Sequence, residues 1–210
     1  ALYMLIADQE AGAEVYSVAS KKDQAKIIYE ETYNMVRQSP DLLQVIKKRK
    51  SDLYFPLTFS KFQPLGKNSD TLDGLNSSLV IIDELHSIKD RNLYEVMKQS
   101  QSARRQPLLV MITTAGTVRE CIFDDMYKYA CGVCDGTITD PHFLPIIYEL
   151  DSKEEWLDPM KWEKANPGLN RIKKLDDLIS KVSRAKQSPR DLTGVLVKDF
   201  NVIQSVASTW

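Results

Sequence analysis

Three short apolar runs organise this chain: Leu79-Val80-Ile81-Ile82, Leu108-Leu109-Val110-Met111-Ile112 and the Val15–Ala19 part of Glu-Val-Tyr-Ser-Val-Ala at Glu14–Ala19. All three read as strands, and the first two suit strands covered on both faces. Helical periodicity fills the spaces between them. Ser20 is expected to cap a helix with Asp23 at its third position, and Ala25, Ile28, Tyr29, Thr32, Met35 and Val36 form the buried stripe, with Pro40 just beyond the end. A second helix is expected from about Asp41, finishing in Lys47-Lys48-Arg49-Lys50, where the helix dipole favours cations. Residues 51–66 alternate unevenly and carry Pro56 and Pro64, which predicts short edge strands. Residues 67–78 are polar, with an Asp73-Gly74 turn signal.

Further on, the pattern predicts helices over residues 92–103 and 119–135, the latter stopped by Gly136, and an edge strand over residues 143–150. Strand and helix thus alternate to about residue 150, which predicts an α/β fold with a parallel sheet flanked by helices. The character then changes. Asp158-Pro159 caps a short helix bearing Trp162, and Asn166-Pro167-Gly168 breaks it. Leu175, Leu178, Ile179, Val182 and Ala185 mark an amphipathic helix, with another from about Asp191. Two parts are expected: an α/β core over residues 1–150 and a small helical appendage over residues 151–210.

Composition narrows this picture little. The 210 residues are 43% hydrophobic and 27% charged, ordinary for a globular chain, and the net charge of −1 gives no global case for nucleic acid. No apolar run approaches the roughly 18 residues a membrane span needs. The N-terminus is apolar without a basic leader, so it reads as the end of a buried helix and not as a signal peptide. Three cysteines suggest a reducing compartment. Cys131 and Cys134 have Cys-x-x-Cys spacing, but Ile122, Phe123, Met126, Tyr127, Ala130, Val133 and Cys134 recur with helical period, so the pair is read as part of an amphipathic helix.

The chemistry concentrates where the apolar run of residues 79–82 ends in Asp83-Glu84-Leu85-His86. Ligands of open α/β sheets gather at the C-terminal ends of the strands. There the first carboxylate can hold Mg²⁺ on a nucleotide, as the Walker B aspartate of phosphate-loop NTPases does, and the second can polarise a water. Asp83 is therefore the metal candidate and Glu84 the general-base candidate; the bland alternative is a pair of solvated side chains at a strand end. The phosphate loop itself, Gly-x-x-x-x-Gly-Lys-Ser/Thr, is absent from the sequence; Gly66-Lys67 is the sole Gly-Lys pair and lacks its surroundings. The expectation is that the chain begins inside the helix that follows such a loop, leaving apolar surface around Leu2, Leu5 and Ile6.

In order along the chain stand Gly12-Ala13-Glu14-Val15-Tyr16, Ala19-Ser20, Asp23-Gln24-Ala25, Leu72-Asp73-Gly74-Leu75-Asn76, Val80 to His86, Gln106-Pro107-Leu108, Thr113-Thr114-Ala115-Gly116, Pro145-Ile146-Ile147-Tyr148, Trp162 with Ala165-Asn166-Pro167, and Phe200-Asn201-Val202 with Trp210. With these anchors the chain resembles the ATPase part of a tailed-bacteriophage terminase large subunit. The resemblance implies a P-loop NTPase (ASCE/RecA-like) fold truncated at its N-terminus, with residues 151–210 as a helical lid and linker. It implies ATP and Mg²⁺ as cofactors, Asp83 on the metal and Glu84 activating water. Thr113, Thr114 and Gly116 would be the coupling motif that senses the γ-phosphate. His86 follows the glutamate as in Asp-Glu-x-His helicases, and is either a reporter of nucleotide state or a histidine satisfied locally beside the turn.

The same resemblance implies a motor driving double-stranded viral DNA into a procapsid, with portal protein and small terminase subunit as partners and a ring homo-oligomer on the portal. It places the motor in the cytoplasm of an infected bacterium, without a membrane. The nuclease domain of such proteins is expected to lie beyond this chain. Arg104 and Arg105 are either a trans arginine finger or a solvated loop pair. A helicase of the Asp-Glu-x-His type is the competing enzyme, although Thr113-Thr114-Ala115-Gly116 departs from its Ser/Thr-Ala-Thr. A catalytically inert fragment is the non-enzymatic alternative.

Overall fold

The computed structural model describes residues 1–66, 72, 74–89, 91–117 and 119–204. Asp73, Lys67 and Trp210, which entered the sequence reading, lie outside the described residues. The chain divides into two compact units, Ala1–Thr113 and Thr114–Trp210.

The first unit is a six-stranded sheet with helices against it. Its elements are α1 (Leu2–Ile6), β1 (Glu14–Ala19), α2 (Lys22–Gln38), α3 (Pro40–Val45), β2 (Lys47–Lys48), β3 (Leu53–Phe55), β4 (Ser60–Gly66), β5 (Leu79–Asp83), α4 (Arg91–Gln99) and β6 (Leu108–Ile112). The strand order is β2-β3-β4-β1-β5-β6. β4, β1, β5 and β6 run parallel, as the alternation of strands and helices predicts, while β2 and β3 add an antiparallel hairpin. β1 occupies the middle, with Val15, Val18 and Ala19 fully buried, and α2 packs across it and β4. Ala25, Tyr29, Thr32 and Val36 supply the buried face of α2 as expected, whereas Met35 is 60% exposed. Leu5 is buried and Leu2 and Ile6 pack against the core, so α1 covers apolar surface instead of leaving it open.

Several expectations need correction. Lys21, not Ser20, occupies the N-cap of α2 and gives no side-chain cap; the Ser20 hydroxyl lies instead 3.2 Å from Ser87 Oγ. The basic run is not a helix end: α3 stops at Val45, and Lys47–Lys48 forms β2. Side-chain partners outside the run explain this. Lys48 Nζ lies 4.0 Å from the Tyr33 ring centre, Arg49 stacks on Tyr54, and Arg49 grips Asp52 through bonds of 2.6 and 3.0 Å that close the hairpin turn.

β4 is an interior strand despite Pro64. Lys61 N–H donates toward β1, to Ala13 O, so alternation turns residue 64 toward β3, whose pairing has already ended at Phe62. The missing proline N–H therefore breaks no ladder bond. β6 reads as a doubly covered strand but lies at the sheet edge, with Leu108 and Ile112 about half exposed. An apolar hollow lined by Met4, Ile28, Leu79, Ile81 and Val110 adjoins that edge.

The second unit contains α5 (Ile122–Cys134), α6 (Leu175–Ala185), α7 (Pro189–Lys198) and two 3₁₀ turns, Lys153–Leu157 and Pro159–Lys164. Residues 143–150 form no strand. Leu144, Ile146 and Tyr148 alternate outward, so the period-two pattern is real, but among the described residues no ladder receives it. Cys134 is exposed, outside any buried stripe, and all three cysteines are free thiols. Asp158 caps the second 3₁₀ turn as expected, accepting from Met160 N–H at 3.0 Å. Trp162 is buried, donates from Nε1 to Trp156 O at 3.0 Å and packs on Phe200. Leu178, Val182 and Ala185 of α6 join this core, while Ile179 is 42% exposed.

Candidate nucleotide site

β5 and β6 deliver the candidate residues to the C-terminal ends of the parallel strands. Asp83 is the last residue of β5 and pairs in register with Ile112. Its side chain is half-buried, and among the described residues none donates to its carboxylate. Glu84 then leaves the strand in the left-handed region, φ 53° and ψ 52°. That conformation is unfavourable for an L-residue by roughly 1 kcal/mol or more. The turn that follows, Leu85–Ser87, holds it: Ser87 N–H and Ser87 Oγ both donate to Glu84 O at 2.8 Å, and Leu85 is buried beneath.

The twist places the Glu84 carboxylate beside His86 and Thr113. Thr113 Oγ1 accepts from His86 N–H at 3.1 Å and lies 3.0 Å from His86 Nδ1. The same Nδ1 is 3.0 Å from Glu84 Oε2. That contact is not a hydrogen bond, and the buried Oε2 has no hydrogen-bond partner among the described residues. Asp83, Glu84, His86 and Thr113 are thus brought together within the first unit.

Thr114 and Gly116 belong to the second unit. Gly116 has φ +59°, a conformation suited to glycine, and its carbonyl and that of Ala115 accept from Arg119 Nη2 at 2.9 and 2.5 Å. Ala115 N–H donates to Asn201 Oδ1 at 3.3 Å, and Asn201 Nδ2 donates to Tyr148 O at 2.8 Å. Arg119 also reaches Asp124 at 2.7 Å and lies over Phe123. Sequence reasoning passed over Arg119, since no local pattern marks an arginine folded back on the loop before it. Arg104 is neither a free finger nor a solvated residue: its side chain is 6% exposed and bonds Asn76 O, Gly12 O and Glu10.

Asp83 could hold a magnesium ion only in the way nucleotide-borne ions are held. Such ions take one or two protein carboxylates, completing their shell with phosphate oxygens and water. Asp83 offers one. Among the described residues there is no group of three or more His, Cys, Asp or Glu able to hold a metal without a nucleotide.

A parallel sheet with paired acids at one strand end and a hydroxyl at the next defines a phosphate-loop-type NTPase core. The family model for the terminase large subunit ATPase domain matches residues 1–132, and that for the terminase large subunit endonuclease domain matches residues 137–210. This chain belongs to the terminase large subunit family. It is 32% identical over 138 residues to protein YmfN of Escherichia coli K12, covering 66% of this chain and 30% of that protein. It is 22% identical over 182 residues to the terminase large subunit of Enterobacteria phage HK97, covering 84% of this chain and 35% of that one. The crystal structure of the HK97 bacteriophage large terminase superposes with a TM-score of 0.82 at 20% identity, over 97% of this chain and 42% of that one, which confirms the fold.

The chain spans about a third of the length of the curated relatives it matches. The endonuclease match covers residues 137–210, the end of the stretch read from sequence as α/β core together with the residues read as lid and linker, so the expectation that none of that domain is present is corrected. No helix among the described residues is long and apolar enough to cross a membrane.

Proposed function

We propose that this chain is part of an ATP-driven motor that packages double-stranded viral DNA into a procapsid in an infected bacterial cell. The portal and the small terminase subunit are its partners, and a ring of copies on the portal is its working form. The observation that carries the reading is Glu84: a carboxylate whose buried Oε2 accepts no hydrogen bond and lies 3.0 Å from His86 Nδ1, next to Asp83, on a left-handed backbone at the C-terminal end of the parallel strand β5.

Bound Mg²⁺ would neutralise charge on the phosphates of ATP. Asp83 would hold that ion through one carboxylate oxygen. Glu84 would accept a proton from the attacking water, since its Oε2 accepts no hydrogen bond in this arrangement. Thr113, with Thr114 and Gly116 following it, would sense the γ-phosphate end of the nucleotide. The sequence has no Gly-x-x-x-x-Gly-Lys-Ser/Thr, and the grip on the phosphates is proposed for the longer protein. The endonuclease activity is proposed for that longer protein as well.

Mg²⁺-dependent ATP hydrolysis by the full-length protein, measured beside the 210-residue chain, tests this. Activity is expected in the longer protein alone. Glu84→Gln should lower its turnover by about 10²–10⁴-fold and spare nucleotide binding. Undiminished turnover in that variant would remove Glu84 from the reaction.

A further inference from the structure

We propose that His86 is a positioning residue whose Nδ1 proton is shared between Thr113 and Glu84, so that the hydroxyl at the end of β6 decides whether the Glu84 carboxylate is paired. This rests on the reading of Glu84 as the general base. The two strand ends are 27 residues apart in sequence and are joined at His86 by its main-chain N–H and its ring.

The argument is one of donor supply. A carboxylate only accepts hydrogen bonds, so a bare Nδ1 lone pair 3.0 Å from Glu84 Oε2 would be repelled. Nδ1 therefore carries the hydrogen. Thr113 Oγ1 has two lone pairs; one takes the His86 main-chain N–H and the other takes the ring N–H. A single hydrogen cannot point straight at both acceptors. Here it points at Thr113, and Glu84 Oε2, although equally near, is left without a hydrogen bond.

A small rotation of the ring transfers the bond to Glu84. The geometry thus has two arrangements: Thr113 satisfied with Glu84 available to take a proton from water, or Glu84 paired and idle. A ligand that claims the Thr113 hydroxyl changes the balance between them.

The chain has two histidines, which makes the test direct. His142→Gln leaves His86 as the sole reporter, and ¹⁵N imidazole NMR of the 210-residue protein reads its tautomer. The Nδ1–H form is expected, against the Nε2–H preference of free imidazole. It should persist in Thr113→Val, where Glu84 becomes the acceptor, and revert to Nε2–H in Thr113→Val/Glu84→Ala. An Nε2–H tautomer in the otherwise unaltered protein would overturn the proposal. So would persistence of Nδ1–H in the double variant.

In the full-length protein, Thr113→Val should lower kcat about tenfold with KM for ATP within twofold, and a reversed split would also overturn it. If Glu84→Gln leaves turnover intact, the base assignment fails independently. If it abolishes turnover while His86 reads Nε2–H, this inference alone fails.

Discussion

Replacing Arg104 by methionine keeps much of the stem volume and removes the guanidinium. The side chain is 6% exposed and makes a compact set of contacts: Nε and Nη2 donate to Asn76 O at 2.9 and 2.6 Å, Nη2 donates to Gly12 O at 2.7 Å, and Nη1 faces Glu10 at 3.3 Å. Hydrogen bonds from a charged donor contribute about 1.5–3 kcal/mol each when the partner is left without a substitute. Here two carbonyls lose their donor, and Glu10, mostly buried, loses its counter-charge. Water can rehydrate part of this surface, so a loss of about 3 kcal/mol is expected, at the lower end for breaking a buried pair.

With a urea m-value of about 2 kcal/mol/M, the midpoint followed by circular dichroism should fall by about 1.5 M. Arg104→Lys keeps the charge but not the fork, and should lose about half as much. Arg105→Met, at the exposed neighbouring position, serves as the control and should leave the midpoint in place. A shift under about 0.3 M for Arg104→Met would show that these bonds give no net stability, and the structural role assigned to Arg104 would fall.

Gly66→Ala is expected to destabilise by about 1–3 kcal/mol, because a Cβ there would lie 2.9 Å from both the main-chain nitrogen and the Cβ of Lys22, and backbone cannot swing aside; an unchanged urea midpoint would contradict this. Burial, followed by the nearby Glu30 and Asp52 carboxylates, pushes the Tyr29 phenol up to about 12. The folded state therefore holds that proton more tightly than the unfolded chain, whose tyrosines titrate near about 10. The corresponding stability is fully present below about pH 10 and is lost as pH rises from there through about 12. Urea midpoints should fall above pH 10, less steeply in Tyr29→Phe, and equal slopes for the two proteins would refute the linkage.

The parts of the fold that could be read from sequence are those whose neighbours impose a local pattern. β5 and its acid tip are legible because a strand covered on both faces needs an unbroken apolar run, and carboxylates must lie outside it. α2, α6 and the turn capped by Asp158 are legible for similar local reasons. Errors arise where a distant partner decides. Lys47 and Lys48 carry the charges of a helix end, but they pair with Tyr54 and Leu53 of β3, and Lys48 lies over the rings of Tyr29 and Tyr33. Pro64 argues for an edge until the facing of its nitrogen is known. Residues 143–150 alternate without a ladder. At the site, Asp83 and Glu84 announce themselves, while the joining of His86 to Thr113 depends on which strands are neighbours. Arg104 acquires its role from Gly12 and Glu10, more than ninety residues away.

The left-handed twist at Glu84 has a consequence for anyone selecting variants of this protein by heat or denaturant. A glycine or asparagine would adopt that conformation at less cost, and either would remove the carboxylate whose buried oxygen lacks a partner. Position 84 should therefore emerge from a stability screen as an improvable residue and from a packaging screen as an intolerant one. Disagreement between two such rankings, plotted along the chain, would locate the working part of the molecule without any substrate.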